Sequence, residues 1–196
     1  MKYLFVTFIL SLTLCSTIHK DLNEFGKWKK FHGIFDKEFK QVGSEIELDA
    51  VSYEYDHSNN FLDVYKQFFI HSKDSTKFID LDTYSLVLEK DQLGNLYSSG
   101  SGVDIKVQLV DKDSNSAITA LFCGTNCYPE TALWRNNSWL EIYGFELDDG
   151  NRFIPTMWKI LTDNMLFSKY QIDKKIDKMP ESYSENVRLK KVEFKK

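Results

Sequence analysis

The chain has 196 residues, 29 acids against 25 bases and a net charge of −4, which suits one domain or one domain plus a tail and leaves no basic footprint for nucleic acid. Fifteen Phe and ten Tyr favour strands over helices. Only nine Gly and three Pro argue against long disordered linkers.

The first residues read as an export signal. Met1-Lys2 is a short positive start, Tyr3 to Leu14 is almost unbroken apolar sequence, and Cys15, Ser16 and Thr17 are small. Charge, apolar core and small-residue cleavage zone come in the order of a secretory leader. The run falls short of the ~20 apolar residues a spanning helix needs. A single Cys directly after an apolar stretch resembles the start of bacterial exported lipoproteins, and that resemblance implies lipidation of Cys15. The departure is Leu14, where that family carries a small residue; cleavage near Ser16 or Thr17 by an ordinary signal peptidase is the competing outcome. The reading divides the chain into a signal peptide over 1–17, a tether or helix over 18–43 and an antiparallel β domain over 44–196.

Along the tether, Leu22, Phe25, Trp28, Phe35 and Phe39 follow roughly helical spacing. Lys27, Lys29 and Lys30 suit an interfacial helix, but the acids among them dilute the basic face and favour a packing helix or irregular tether. Ser44 to Asp56 predicts a strand whose apolar phase switches at Val51, the mark of a bulge or bend. Phe61 to Ile70 fits a helix face or a strand, and its second half is assigned as strand. Phe78 to Leu88 predicts one long strand, and Gln92 to Gly102 a Gly/Ser loop. Val103 to Val110 alternates cleanly, with Val103, Ile105, Val107 and Leu109 inward and Asp104, Lys106 and Gln108 towards water. Ala117 to Phe122 follows a turn at Asp111–Asn115. Trp139 to Leu147 is apolar on both sides and so internal to a sheet. Asp148-Asp-Gly-Asn151 is a strong turn signal. Phe153 to Leu161 carries Pro155, which suggests an edge or bulge. Leu166 to Ile172 predicts a short strand, and basic Val187 to Phe194 a final strand that guards a sheet edge.

Between residues 70 and 172 the order of polar turn, apolar strand, loop, strand ending in Asp and short strand occurs twice. That order resembles a β-propeller blade. Two or three such units are too few to close a propeller, which takes about 4–8 blades. The expected fold is therefore all-β, with antiparallel sheets arranged as blade-like units or a sandwich.

Cys123-Gly-Thr-Asn-Cys127 predicts a disulfide, as fits an exported chain. Zinc would need more ligands, and the histidines at 19, 32, 57 and 71 lie far off in sequence. Asp111-Lys-Asp113-Ser-Asn115 opens like a calcium loop but has Ser116 and Phe122 where the EF-hand needs Gly and Glu. Asp80 and Asp82 could hold a cation, yet a solvated strand face is the commoner explanation. Asn136-Asn-Ser138 is a formal sequon, set aside because the leader looks bacterial. No nucleophile elbow, zincin, P-loop or dinucleotide motif occurs. Neither a metal nor a cofactor is expected. Trp134, Trp139, Tyr143 and Trp158 could line a ligand surface, although such aromatics at strand spacing more often form core.

These residues support an exported envelope protein, in the periplasm or anchored to the outer membrane, that binds a protein or small ligand without catalysis. An exported hydrolase, whose carboxylates sequence cannot pair, is the alternative. A periplasmic inhibitor or immunity protein is a third reading. Carboxylates converging in a cleft would favour the enzyme.

Overall fold

The structure, a computed structural model, describes residues 25–55 and 59–195. The leader and Cys15 lie outside the described residues. The chain divides into two compact units, Met1–Lys37 and Glu38–Lys196. In the first, helix α1 spans residues 25–31, with Trp28 fully buried and Phe35 exposed.

The second unit is all-β. Its strands are β1 (Lys40–Glu47), β2 (Tyr53–Glu54), β3 (Ile70–His71), β4 (Lys77–Asp80), β5 (Leu86–Lys90), β6 (Leu96–Ser101) and β7 (Ile105–Asp111). There follow β8 (Ser116–Cys123), β9 (Cys127–Trp134), β10 (Trp139–Leu147), β11 (Phe153–Leu161), β12 (Leu166–Gln171) and β13 (Val192–Phe194). Helix α2 (Asn59–Tyr65) and a 3₁₀ turn (Lys66–Phe68) precede β3, and a single π-helical turn (Ser184–Arg188) precedes β13.

The strands form three sheets, in the orders β1-β12-β11-β10-β9, β2-β8-β7-β4-β3 and β13-β6-β5. All pairings are antiparallel except that of β13 with β6. The two five-stranded sheets share one plan. Each is a meander of four strands, β3-β4-β7-β8 or β9-β10-β11-β12, completed beside its last strand by one strand from residues 40–54. The β5–β6 hairpin is an insertion within the first meander.

One apolar core joins the two five-stranded sheets. Ile79, Leu81, Val107 and Leu109 enter it from one sheet, and Trp134, Leu140, Ile142, Trp158 and Ile160 from the other. The disulfide is part of this core. Cys123 ends β8 and Cys127 opens β9, with Cα atoms 5.2 Å apart. These strands are not paired with each other, so the bridge staples the crossing between two sheets rather than closing a hairpin. A loop this short contributes only ~2 kcal/mol by the chain-entropy account. Each fully buried aliphatic side chain contributes about 1.5–3 kcal/mol, so Ile79, Leu140, Ile142 and Ile160 together outweigh the bridge. Reduction is therefore expected to add about 2 Da and lower the unfolding free energy read from urea titration by no more than ~2 kcal/mol without unfolding the protein. Loss of cooperative unfolding on reduction would contradict this.

Several elements differ from the sequence expectation. The strand read over the second half of Phe61–Ile70 is helix and 3₁₀ turn up to Phe68. Phe61, Tyr65 and Phe68 recur at helical spacing and pack with Leu88, Leu96 and Leu189, so tertiary burial overrides aromatic β-propensity. The single strand read over Phe78–Leu88 is β4 and β5, in different sheets, because Asp80 folds the intervening turn: its Oδ1 accepts the N–H groups of Asp82 and Thr83. The supposed Gly/Ser loop contains β6, held by β5 and β13 on either side. The final strand shrinks to three residues because the chain before it winds into the π-helical turn and sends Arg188 inward. The alternating strand begins only at Ile105, and a register shift after Val107 buries Gln108, while Val103 stays exposed. Pro155 sits in β11, the central strand of its sheet. Its carbonyl accepts Ile172 N–H at 3.0 Å, so its missing N–H faces the point where β12 has just ended.

Candidate functional site

The candidate site is a cleft of about 280 Å³ bounded by all three sheets and the chain after β12. Its floor is built from three charged residues that sequence pattern would place in water. Asp82 follows the β4 turn and is almost wholly buried. Arg188 leaves the π-helical turn and grips it twice, Nη1 to Oδ2 at 2.5 Å and Nη2 to Oδ1 at 2.7 Å. Its Nε donates to the Glu130 carbonyl at 3.1 Å. Burial works against the Arg188 charge, but Asp82 first, then Asp80 and Glu130, outweigh it and hold the guanidinium above its ordinary pKa.

Glu130 reaches the cleft through a β-bulge. Along β9 and β10, Thr131 pairs with Tyr143 and Pro129 with Gly144, so Glu130 is the extra residue. Its Oε1 accepts Tyr183 N–H at 2.8 Å, and its carbonyl also takes the Ser184 hydroxyl at 2.7 Å. One bulged residue thus anchors the chain before β13. Gly144 makes the bulge possible: an added Cβ would lie 2.0 Å from the Tyr128 carbonyl oxygen. The signal was present in sequence, since Gly within a strand marks a bulge or a close backbone approach.

Behind the floor, Asp80 is not a cation ligand. Its Oδ2 accepts Tyr55 Oη at 2.9 Å and Gln108 Nε2 at 3.0 Å, together with the Thr83 hydroxyl. Burial first, then Asp80, pushes the Tyr55 phenol well above its usual pKa, so it remains a donor. Asp80 and Asp82 are thus corrected from solvated face to buried, engaged groups. Among the described residues no three His, Cys, Asp or Glu side chains are grouped to hold a metal. Asp111, of the calcium-like stretch, spends Oδ1 on the N–H groups of Asp113 and Ser114.

The four aromatic candidates do not form one surface. Trp134 and Trp158 lie in the shared core, opposite Leu140 and Ile142 in register. Trp134 Nε1 donates to the Ile70 carbonyl at 2.9 Å. Trp139 and Tyr143 lie on the other face of β10. Trp139 is half-buried beneath Lys159, whose Nζ stands 4.5 Å from the ring centroid. Tyr143 is buried in a second polar group: it donates to Glu141 Oε2, which also takes Arg135 Nε at 2.7 Å. Burial, then Glu141, raises the Tyr143 phenol, with Arg135 opposing.

Comparison with family models, with curated proteins and with solved structures returns no match.

Proposed function

We propose that this chain is an exported, lipid-anchored bacterial envelope protein that binds a small ligand in the cleft without transforming it. The observation that carries the reading is the state of the cleft's charges. Both oxygens of Asp82 are committed to Arg188, and Glu130 is committed to the backbone before β13. Such groups shape and polarise a site, and neither is a loose carboxylate for acid–base work; the third carboxylate of the cleft, Glu185, lies exposed at its rim rather than on the floor. The apolar run before Cys15 and a disulfide at a sheet crossing support passage to an oxidising compartment.

The hydrolase reading has one observation in its favour: Asp82 and Glu130 both line the same cleft. Turnover of a glycoside or ester panel that disappears in Glu130→Gln would support it. For the binding reading, protein from the native envelope is expected to begin at Cys15 and carry the added mass of acyl chains under denaturing mass spectrometry. Under native conditions it should carry a further, non-covalent small molecule. A mature chain starting at Ser16 to Ile18 with no added mass removes the anchor, and unprocessed Met1 in the cytoplasm removes export altogether. A cleft found empty in natively isolated protein counts against ligand binding.

A further inference from the structure

We infer that the ligand of the cleft is a small uncharged ring compound bearing one hydroxyl or carbonyl group, and that the Ser85 hydroxyl reads that group; this rests on the cleft being the binding site. Ser85 lies in the turn between β4 and β5 and lines the cleft. Its backbone is fully engaged: its N–H donates to the Asp82 carbonyl at 3.1 Å, and its carbonyl accepts Gly102 N–H at 2.6 Å. Its hydroxyl is different. The residue is only 9% exposed, yet its Oγ has no hydrogen-bond partner among the described residues. Nor is that oxygen sealed in the interior. Among the described residues the sealed, unpartnered side-chain polar atoms are Trp139 Nε1 and Thr162 Oγ1. Ser85 Oγ therefore retains an opening, and the space Ser85 borders is the cleft. A buried hydroxyl without a partner costs free energy that a ligand can return, and a serine hydroxyl both donates and accepts.

The rest of the cleft fits an uncharged body. Leu81, Phe145 and Phe153 are buried in its walls, and Tyr128 adds a further ring. Its lips carry large apolar side chains left in water: Val103 is 75% exposed and Met179 64%. Exposed apolar residues at the mouth of a cavity mark a place where an apolar body is covered on binding. The charges of the floor offer a ligand ion no open partner. Arg188 holds both oxygens of Asp82 and spends Nε on the Glu130 carbonyl, and Glu130 Oε1 takes Tyr183 N–H. Glu185 is exposed at the rim, where water solvates it. An ammonium or carboxylate entering the cleft would give up hydration for groups already engaged, whereas an uncharged ring gives up little. Size narrows the class. The space of about 280 Å³ lies below the roughly 300–1,000 Å³ typical of drug-sized sites, which suits one ring with short substituents better than a peptide segment.

Four probes on one frame test this, titrated into the full mature chain with amide shifts as readout: 4-ethylphenol, ethylbenzene, the anion 4-ethylbenzoate and the protonated form of 4-ethylbenzylamine. 4-Ethylphenol should bind most tightly, and the two ions at least about tenfold more weakly. The shifts should centre on Leu81, Ser85, Tyr128, Phe145 and Phe153. Ser85→Ala removes an oxygen that makes no hydrogen bond within the fold, so the urea midpoint should stay in place. It should weaken 4-ethylphenol about three- to tenfold and leave ethylbenzene unchanged. Either ion binding as tightly as 4-ethylphenol at these residues overturns the uncharged assignment while leaving the cleft as a ligand site. A Ser85→Ala variant that weakens both neutral probes alike, or neither, overturns the role of the hydroxyl. No shift at those residues with any probe overturns the inference too. The broader reading then stands or falls on the molecule retained by natively isolated protein.

Discussion

Arg188→Met is expected to lower stability by about 3–5 kcal/mol, the range seen when one partner of a buried ion pair is removed. The side chain it replaces is largely enclosed and holds three groups at once: both oxygens of Asp82 and the carbonyl of Glu130. Methionine fills much of the volume but leaves Asp82 as a buried charge without its partner. The ledger is asymmetric, so Asp82→Asn in the Arg188→Met background should recover part of the loss. Recovery should be incomplete, because Asp80 and Glu130 also act on the guanidinium. The checks are urea midpoints at unchanged m, with Lys66→Met as the contrast. That residue's pair with Asp63 lies in solvent, and its loss should barely move the midpoint. An Arg188→Met variant within 1 kcal/mol of the parent, on the order of an exposed pair, would mean that the pair is not effectively buried.

The parts of the fold that could be read from sequence are those where local pattern and burial agree. β10 is apolar on both sides because it is paired on both sides, and the Asp148–Asn151 turn that follows it is built by Asp148 accepting the Gly150 and Arg152 N–H groups. The disulfide was legible from the spacing of Cys123 and Cys127 taken with the export reading, although its setting between two sheets was not. What could not be read is the cleft. Asp82 and Arg188 are 106 positions apart, and Glu130 and Tyr183 are 53 apart. Each residue taken singly belongs in water, and only the partner brought by the C-terminal segment makes its burial affordable. The same holds for Gln108, whose amide is buried because Asp80 and Thr83 receive it. A face-by-face count of polar positions cannot detect such pairs. Composition also misled at Phe61–Phe68, where aromatic content pointed to a strand and the spacing of the buried rings to the helix that forms.

Gly144→Ala is expected to be the most damaging single-methyl change in the β unit, costing at least about 3 kcal/mol, the upper end for overpacking. The reason is steric rather than conformational, since Gly144 is not among the residues with positive φ. An ideal Cβ there would lie 2.0 Å from the Tyr128 oxygen and 2.8 Å from both the Tyr128 carbonyl carbon and Pro129 Cα. All three are backbone atoms, so no side-chain rotation can relieve the overlap. β9 must move away from β10, and the bulge that carries Glu130 into the cleft moves with it. The variant should therefore loosen the contacts of Glu130 with Tyr183, Ser184 and Arg188 as well as lower the urea midpoint. Gly100→Ala is the matched control. It lies in β6, also at negative φ, with nothing within 4 Å of the added methyl, and should change stability by no more than about 0.5 kcal/mol. Equal effects of the two substitutions would show that β9 and β10 do not approach closely at Gly144, and the bulge would then need another cause.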